Sequence, residues 1–164
     1  MPTTGGLTAA RLLLAVAAAQ AVPQSPPPAL EPLTKREVAA IHAAALRETL
    51  RTEAVRSEAV SKVFLSVDEG QDPYPELLAL LPDLAGVVRP RSECIKRKTV
   101  VGELCQVATG EVQIWLGPVA RVGADLAELT VGVHTLSCRR RVRRERDVWR
   151  VLGPMEFAGL CRVA

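Results

Sequence analysis

The chain reads as an α+β protein in which an N-terminal helix packs on a C-terminal antiparallel meander sheet. Three observations predict it: a capped amphipathic stretch opening at Thr34, a change from helical to alternating periodicity after Val87, and four cysteines confined to the second half. A cysteine, the densest charge and a tryptophan coincide in residues 137–152, SCRRRVRRERDVWRVL, and the sheet is expected to be arranged around this hairpin.

The helix begins with a capping box, Thr34-Lys35-Arg36-Glu37, in which the threonine oxygen accepts from a first-turn amide while Glu37 reaches back. Val38, Ile41, His42, Ala45, Leu46 and Thr49 recur at helical spacing, which carries the helix to about Leu50 and extends it as far as Val60 on the widest reading. His42 falls on or beside that stripe, where packing or hydrogen bonding is expected of it rather than catalysis. Residues 62–67, KVFLSV, form a short strand, followed by the acidic loop 68–72. That loop lacks the alternating ligands and closing Glu of an EF-hand. Asp72 is instead expected to cap a helix over 76–84, with Pro73 and Pro75 in its first turn and Pro82 curtailing it.

Beyond that helix the pattern gives strands at 87–88, 98–107, 112–122 and 126–133, with Gly110, Gly123 and Gly132 near turns or bulges. Gly117-Pro118 interrupts the third of these, placing it at an edge or bulge. In the final hairpin Cys138, Arg140 and Val142 share one strand face while Arg139, Arg141 and Arg143 project from the other. A polar turn over 144–147 leads into a strand with Trp149 and Val151 inward and Val148 and Arg150 outward.

A long helix, a shorter helical piece and a twisted meander ending in a charged hairpin with the inward pair Trp149 and Val151 resemble the cone-shaped NTF2-like or cystatin-like architecture. The resemblance is one of layout over about residues 34–155 and carries no signature motif. It implies no function, because such folds host enzymes, binding modules and structural domains alike.

At 164 residues the chain suffices for one domain with a real core, assigned to residues 34–164. Ahead of it, Arg11 precedes the apolar run 12–19, and Ala19-Gln20-Ala21 supplies the small residues of a cleavage site. Residues 1–21 therefore read as a signal peptide cleaved after Ala21, with Ala19 as the alternative, and the protein is expected to be secreted or periplasmic. A retained N-terminal helix is the competing reading; the run is too short for a membrane span. Residues 22–33 carry five prolines and read as an extended spacer.

Cysteine usage agrees with export. Cys94, Cys105, Cys138 and Cys161 form an even set behind a leader, which points to two disulfides. Three pairings are open, with Cys94 to Cys105 and Cys138 to Cys161 preferred because ten residues separate the first two with Gly102 among them; free buried thiols are the competing reading. No C-x-x-C or close Cys/His pair occurs, so a zinc site of the usual kind is excluded, and no cofactor or metal is expected.

Charge is unevenly laid out: residues 34–88 hold 6 Lys or Arg against 9 Asp or Glu, whereas 89–164 hold 14 against 8. The basic excess collects around Lys96, Arg97 and Lys98, with Arg89 and Arg91, and in the hairpin arginines Arg139, Arg141 and Arg143. These are the candidate anion-binding residues, and the two clusters form one patch if their strands are neighbours. A solvated face that guards a sheet edge is the competing account. Aromatics are only 3% of the chain, which argues against the stacking platforms of single-strand nucleic-acid binders.

The leading functional reading is a small exported, disulfide-stabilised binding or interaction domain with an unknown protein or polyanionic partner. An enzyme with a pocket near the helix–sheet interface is the alternative. Its actors would come from His42, His134, Asp125, Glu128 and the carboxylates of 68–76, no two of which have a spacing that demands catalysis. Ser66, Ser92 and Ser137 lack a nucleophile-elbow context.

Overall fold

The computed structural model describes residues 30–56, 60–68, 70–99, 102–153 and 161–163. The expected signal peptide at 1–21 and all but the last four residues of the proline-rich spacer at 22–33 lie outside them. Helix α1 spans Lys35–Arg56. Its capping box forms as the sequence predicts: the Thr34 amide donates to Glu37 Oε2 at 2.9 Å and the Glu37 amide to Thr34 Oγ1 at 3.2 Å. Ala39, Ile41, His42, Ala43, Ala45, Leu46 and Thr49 are buried, an apolar arc wide enough to seat the helix against a sheet.

Strand β1 follows at Lys62–Val67, then the short helix α2 at Pro75–Ala79, a 3-10 turn at Pro82–Leu84 and β2 at Val88–Pro90. A second 3-10 turn, Arg91–Glu93, leads into β3 (Ile95–Thr99) and β4 (Gly102–Gln106), a hairpin that forms a two-stranded sheet of its own. The main sheet continues with β5 (Glu111–Leu116), β6 (Ala120–Gly123), β7 (Leu126–Val133), β8 (Leu136–Glu145), β9 (Val148–Val151) and β10 (Cys161–Val163). Its order is β10-β8-β7-β5-β1-β2, with β6 also on β7 and β9 also on β8. One helix packed on a mixed sheet makes the protein α+β.

The sheet is not the pure antiparallel meander expected. β1 lies parallel to β5 on one side and to β2 on the other. The sequence carries a trace of this: in KVFLSV every residue from Val63 to Val67 is buried, so the strand lacks alternation because both its faces are covered, as in parallel sheets. α2 and its 3-10 turn provide the crossover that a parallel neighbour requires.

Four local expectations are also corrected. The single strand over 98–107 is the β3–β4 hairpin. Asp72 does not cap α2, whose N-cap is Tyr74; its carboxylate instead accepts from the Ser92 amide at 2.9 Å and the Ser92 hydroxyl at 2.6 Å, in the 3-10 turn Arg91–Glu93. Gly132 lies inside β7, where a Cβ would come within 3.2 Å of Trp115, so its role is close packing and not a turn. The polar turn over 144–147 shrinks to Arg146 and Asp147, both at positive φ, 47° and 67°. A two-residue turn of that kind matches strand twist, and the Arg144–Asp147 ion pair at 2.6 Å spans it.

Gly117 and Pro118 end β5, and after that break β6 resumes along the same partner strand β7. The core lies between α1 and the inner sheet face, built from Ile41, Leu46, Val63, Leu65, Ile114, Leu116, Val142 and Trp149 among others. Two disulfides brace the outlying pieces. Cys94–Cys105 ties together the open end of the β3–β4 hairpin, and Cys138–Cys161 joins directly opposed residues of β8 and β10 with Cα atoms 4.0 Å apart.

Replacing Cys138 and Cys161 together by Ser is expected to lower unfolding free energy by about 3 kcal/mol, since the bond closes a loop of 23 residues. Urea unfolding of the double variant beside the oxidised parent measures this, and coincident curves would contradict it.

Candidate functional site

The outward face of β8 carries Arg139, Arg141 and Arg143, while Cys138 and Val142 are buried on the other side and Arg140 is half-buried. Register decides each one's neighbours. Arg141 opposes Glu128 of β7, and its Nε donates to Glu128 Oε1 at 2.8 Å. Arg139 opposes Thr130, and Arg143 opposes Leu126 on β7 and Arg150 on β9. Arg139 and Arg143 are exposed and meet no carboxylate among the described residues. Arg150 approaches Glu145 only at 3.7 Å. Two guanidinium groups thus stand directly across a strand pair with little to neutralise them, an arrangement that costs stability and survives only because water screens it.

Arg150 is the member that sequence reasoning missed. Alternation places it outward, but its opposition to Arg143 follows from the two-residue length of the turn, which no pattern in the sequence specifies. Lys96, Arg97 and Lys98 are exposed on β3, in a different sheet from the hairpin arginines. The two basic clusters are therefore not strand neighbours and do not form one continuous sheet face. Lys96 lies near enough to Asp72 to help hold that carboxyl below its usual range, after the larger effect of the two Ser92 hydrogen bonds.

The inner face treats its arginines differently. Glu37 accepts from Arg121 at 3.1 Å and from Arg144 at 3.4 Å, tying the first turn of α1 to β6 and β8. The capping amide and hydroxyl of Thr34, more than the arginines, hold the Glu37 carboxyl below the ordinary range. Between α1 and β9 runs an open groove of about 630 Å³, floored by Ala40, Ala43, Ala44, Trp149 and Val151. Of the arginines that line it, Arg47 pairs with Asp83 at 2.7 Å and Arg51 with Glu48 at 2.6 Å, whereas Arg150 comes no nearer than 3.7 Å to Glu145.

His42 is fully buried in α1, and both its nitrogens are used. The Gly117 carbonyl, 3.0 Å from Nε2, can only accept, so Nε2 carries the proton and Nδ1 accepts from the Tyr74 hydroxyl at 3.0 Å. Burial pushes the His42 pKa down, outweighing the Gly117 hydrogen bond and the charge of Asp68. Burial likewise raises Tyr74 to about 12, so it stays a donor. His134 is exposed at φ 52° in the turn between β7 and β8. Among the described residues no group of three His, Cys, Asp or Glu could hold a metal, and no helix is long and apolar enough to cross a membrane.

No protein-family model matches the chain, and no curated protein or solved structure matches it either.

Because His42 is held neutral when folded and has an ordinary pKa near 6.5 when unfolded, the unfolded chain takes up the proton first. The stability this histidine contributes is complete above about pH 6.5 and is lost as pH falls below it, by up to about 1.4 kcal/mol per pH unit. Denaturant midpoints measured from pH 7.5 to 5 should show this fall, and in His42→Gln the part due to this group should vanish; an unchanged slope in the variant would refute the assignment.

Proposed function

We propose that the chain is a small exported binding domain, residues 34–164 forming one unit released by cleavage after Ala21, that recognises a sulfated or phosphorylated polyanion on the outward face of β8 and β9. The observation that carries this is the trio Arg139, Arg143 and Arg150, with Arg143 opposed to Arg150 across the strand pair and, among the described residues, only Arg150 within reach of a carboxylate. Guanidinium groups present a planar fork suited to sulfate and phosphate, and spacing along a strand lets successive anionic groups meet successive side chains. Glu128 positions Arg141 beside the trio and does not compete with it.

Two further features support the reading. A pair of disulfides is compatible with an oxidising extracellular compartment, where sulfated glycans and phosphorylated surfaces are available partners. The domain's positive excess lies in its second half, so long-range attraction would bring a polyanion to the face that carries the row. Binding of this kind needs no catalytic group.

Retention on immobilised heparin tests the proposal. The oxidised protein should elute at a defined salt concentration, and Arg139→Ser, Arg143→Ser and Arg150→Ser combined should elute far earlier. The slope of log affinity against log salt should drop by about 2 to 3 for three lost anion contacts. Arg97→Ser with Lys98→Ser, in the separate β3–β4 sheet, should change elution much less. Elution of the triple variant at the parent's salt concentration would remove the proposal.

A further inference from the structure

β1, β2 and β5 run parallel; β1 and β5 end level at Val67 and Leu116, and β2 ends at Pro90 opposite Leu65. Small-molecule sites in sheets with parallel strands tend to lie just beyond such carboxyl ends, where side chains from several strands converge. Here a cavity of about 300 Å³ opens on the outer side of the sheet, lined by Ser66, Asp68, Gly70, Arg91, Gln113 and Trp115. Its size is at the lower end of the roughly 300–1,000 Å³ typical of small-molecule pockets.

Three features distinguish this cavity from an ordinary surface dimple. Ser66 is 0% exposed and its hydroxyl has no hydrogen-bond partner among the described residues, a costly state for a buried polar group unless a ligand completes it. The half-buried Arg91 guanidinium makes no ion pair or hydrogen bond among the described residues, and it lies close over Gly70, where a Cβ would come within 2.6 Å of its Nη1. Asp68, a second lining residue and half-buried, has no ion-pair partner for its carboxylate among the described residues and sits at φ 47°, a conformation that non-glycine residues seldom take. The Trp115 indole is fixed beside it by donating to the Asp68 carbonyl oxygen.

An unpaired cation and an unpaired anion lining one small cavity discriminate among ligands. A simple anion meets Asp68 as a repulsive charge, and a simple cation meets Arg91. From this juxtaposition we infer that the cavity binds a small zwitterion of the α-amino-acid type, its carboxylate on the fork of Arg91 and its ammonium toward Asp68. The Ser66 hydroxyl and the Gln113 amide complete the polar contacts, and Trp115 forms an apolar wall for the ligand's side chain. The site is separate from the arginine row on β8 and β9 and does not depend on it.

Ligand-observed NMR of the oxidised protein against the twenty free α-amino acids, each at 10 mM, tests the inference. At least one should bind, and its N-acetyl and carboxamide derivatives should bind at least tenfold more weakly. Arg91→Gln should abolish binding, with Arg91→Lys intermediate because charge is kept and the fork lost, and Asp68→Asn should weaken it at least tenfold. Ser66→Ala should weaken binding yet raise the unfolding temperature by about 2–4 °C, since it removes an unsatisfied buried hydroxyl. That pairing of effects separates a ligand role from a structural one. The triple variant of Arg139, Arg143 and Arg150 should bind the amino acid unchanged, so loss of heparin retention and loss of amino-acid binding are read independently. Absence of binding by all twenty, equal binding of the blocked derivatives, or binding undiminished in Arg91→Gln would each overturn the inference.

Discussion

Burial of the apolar arc of α1 against the inner sheet face is the interaction on which the rest of the structure depends. Ile41 and Leu46 are wholly removed from water, and the alanines between them keep the helix surface low enough for Trp149 of β9 to lie among the core residues. Apolar burial has no direction of its own, so polar contacts set the helix in place. Glu37 fixes its first turn to Arg121 and Arg144, and about a turn and a half onward His42 reaches the Gly117 carbonyl where β5 breaks. Polar atoms exposed by the interruption of a strand are thereby satisfied by the helix that covers it.

The same packing sorts the arginines. Two of those on the inner side, Arg121 and Arg144, meet at the Glu37 carboxylate, which offsets the cost of withdrawing their charge partly from water. Those turned outward are neutralised unevenly: Arg141 has Glu128, whereas Arg139 and Arg143 face solvent. Strand alternation produces this division, and a one-residue slip in β8 would place Arg141 and Arg143 in the core and Val142 in water. The buried Cys138, joined to Cys161 of β10, adds a covalent restraint on that register. The outward row is thus a by-product of the inward packing as well as a candidate recognition surface.

Much of α1 could be read from residues 34–50, because a capping box and a helical stripe are local signals and local signals survive in a linear chain. The outward projection of Arg139, Arg141 and Arg143 was equally legible, since a period of two needs no knowledge of partners. β1 was legible as a strand but not as a parallel one, because its covered second face depends on β2 and β5, which lie far along the chain. The β3–β4 hairpin was lost in a single strand since Gly102 stands alone in 98–107, without the paired turn residues that mark a tight hairpin. Asp72 misled because an Asp before a proline-bearing helix start has the composition of a cap, and only the approach of Ser92 shows where its carboxylate goes.

What the amino-acid order determined by itself was the class of the fold, the start of its long helix, the sidedness of its arginine strand and the confinement of cysteine to the second half. Each follows from spacing between near neighbours or from composition. Only the tertiary structure decided that Arg143 faces Arg150, that Lys96, Arg97 and Lys98 lie in a different sheet from the hairpin arginines, and that Ser66, Asp68 and Arg91 meet at one cavity. Those juxtapositions depend on turn lengths and on parallel pairing across long stretches of chain. Such geometry is set by the minimum free energy of the whole packed molecule and is written in no single segment.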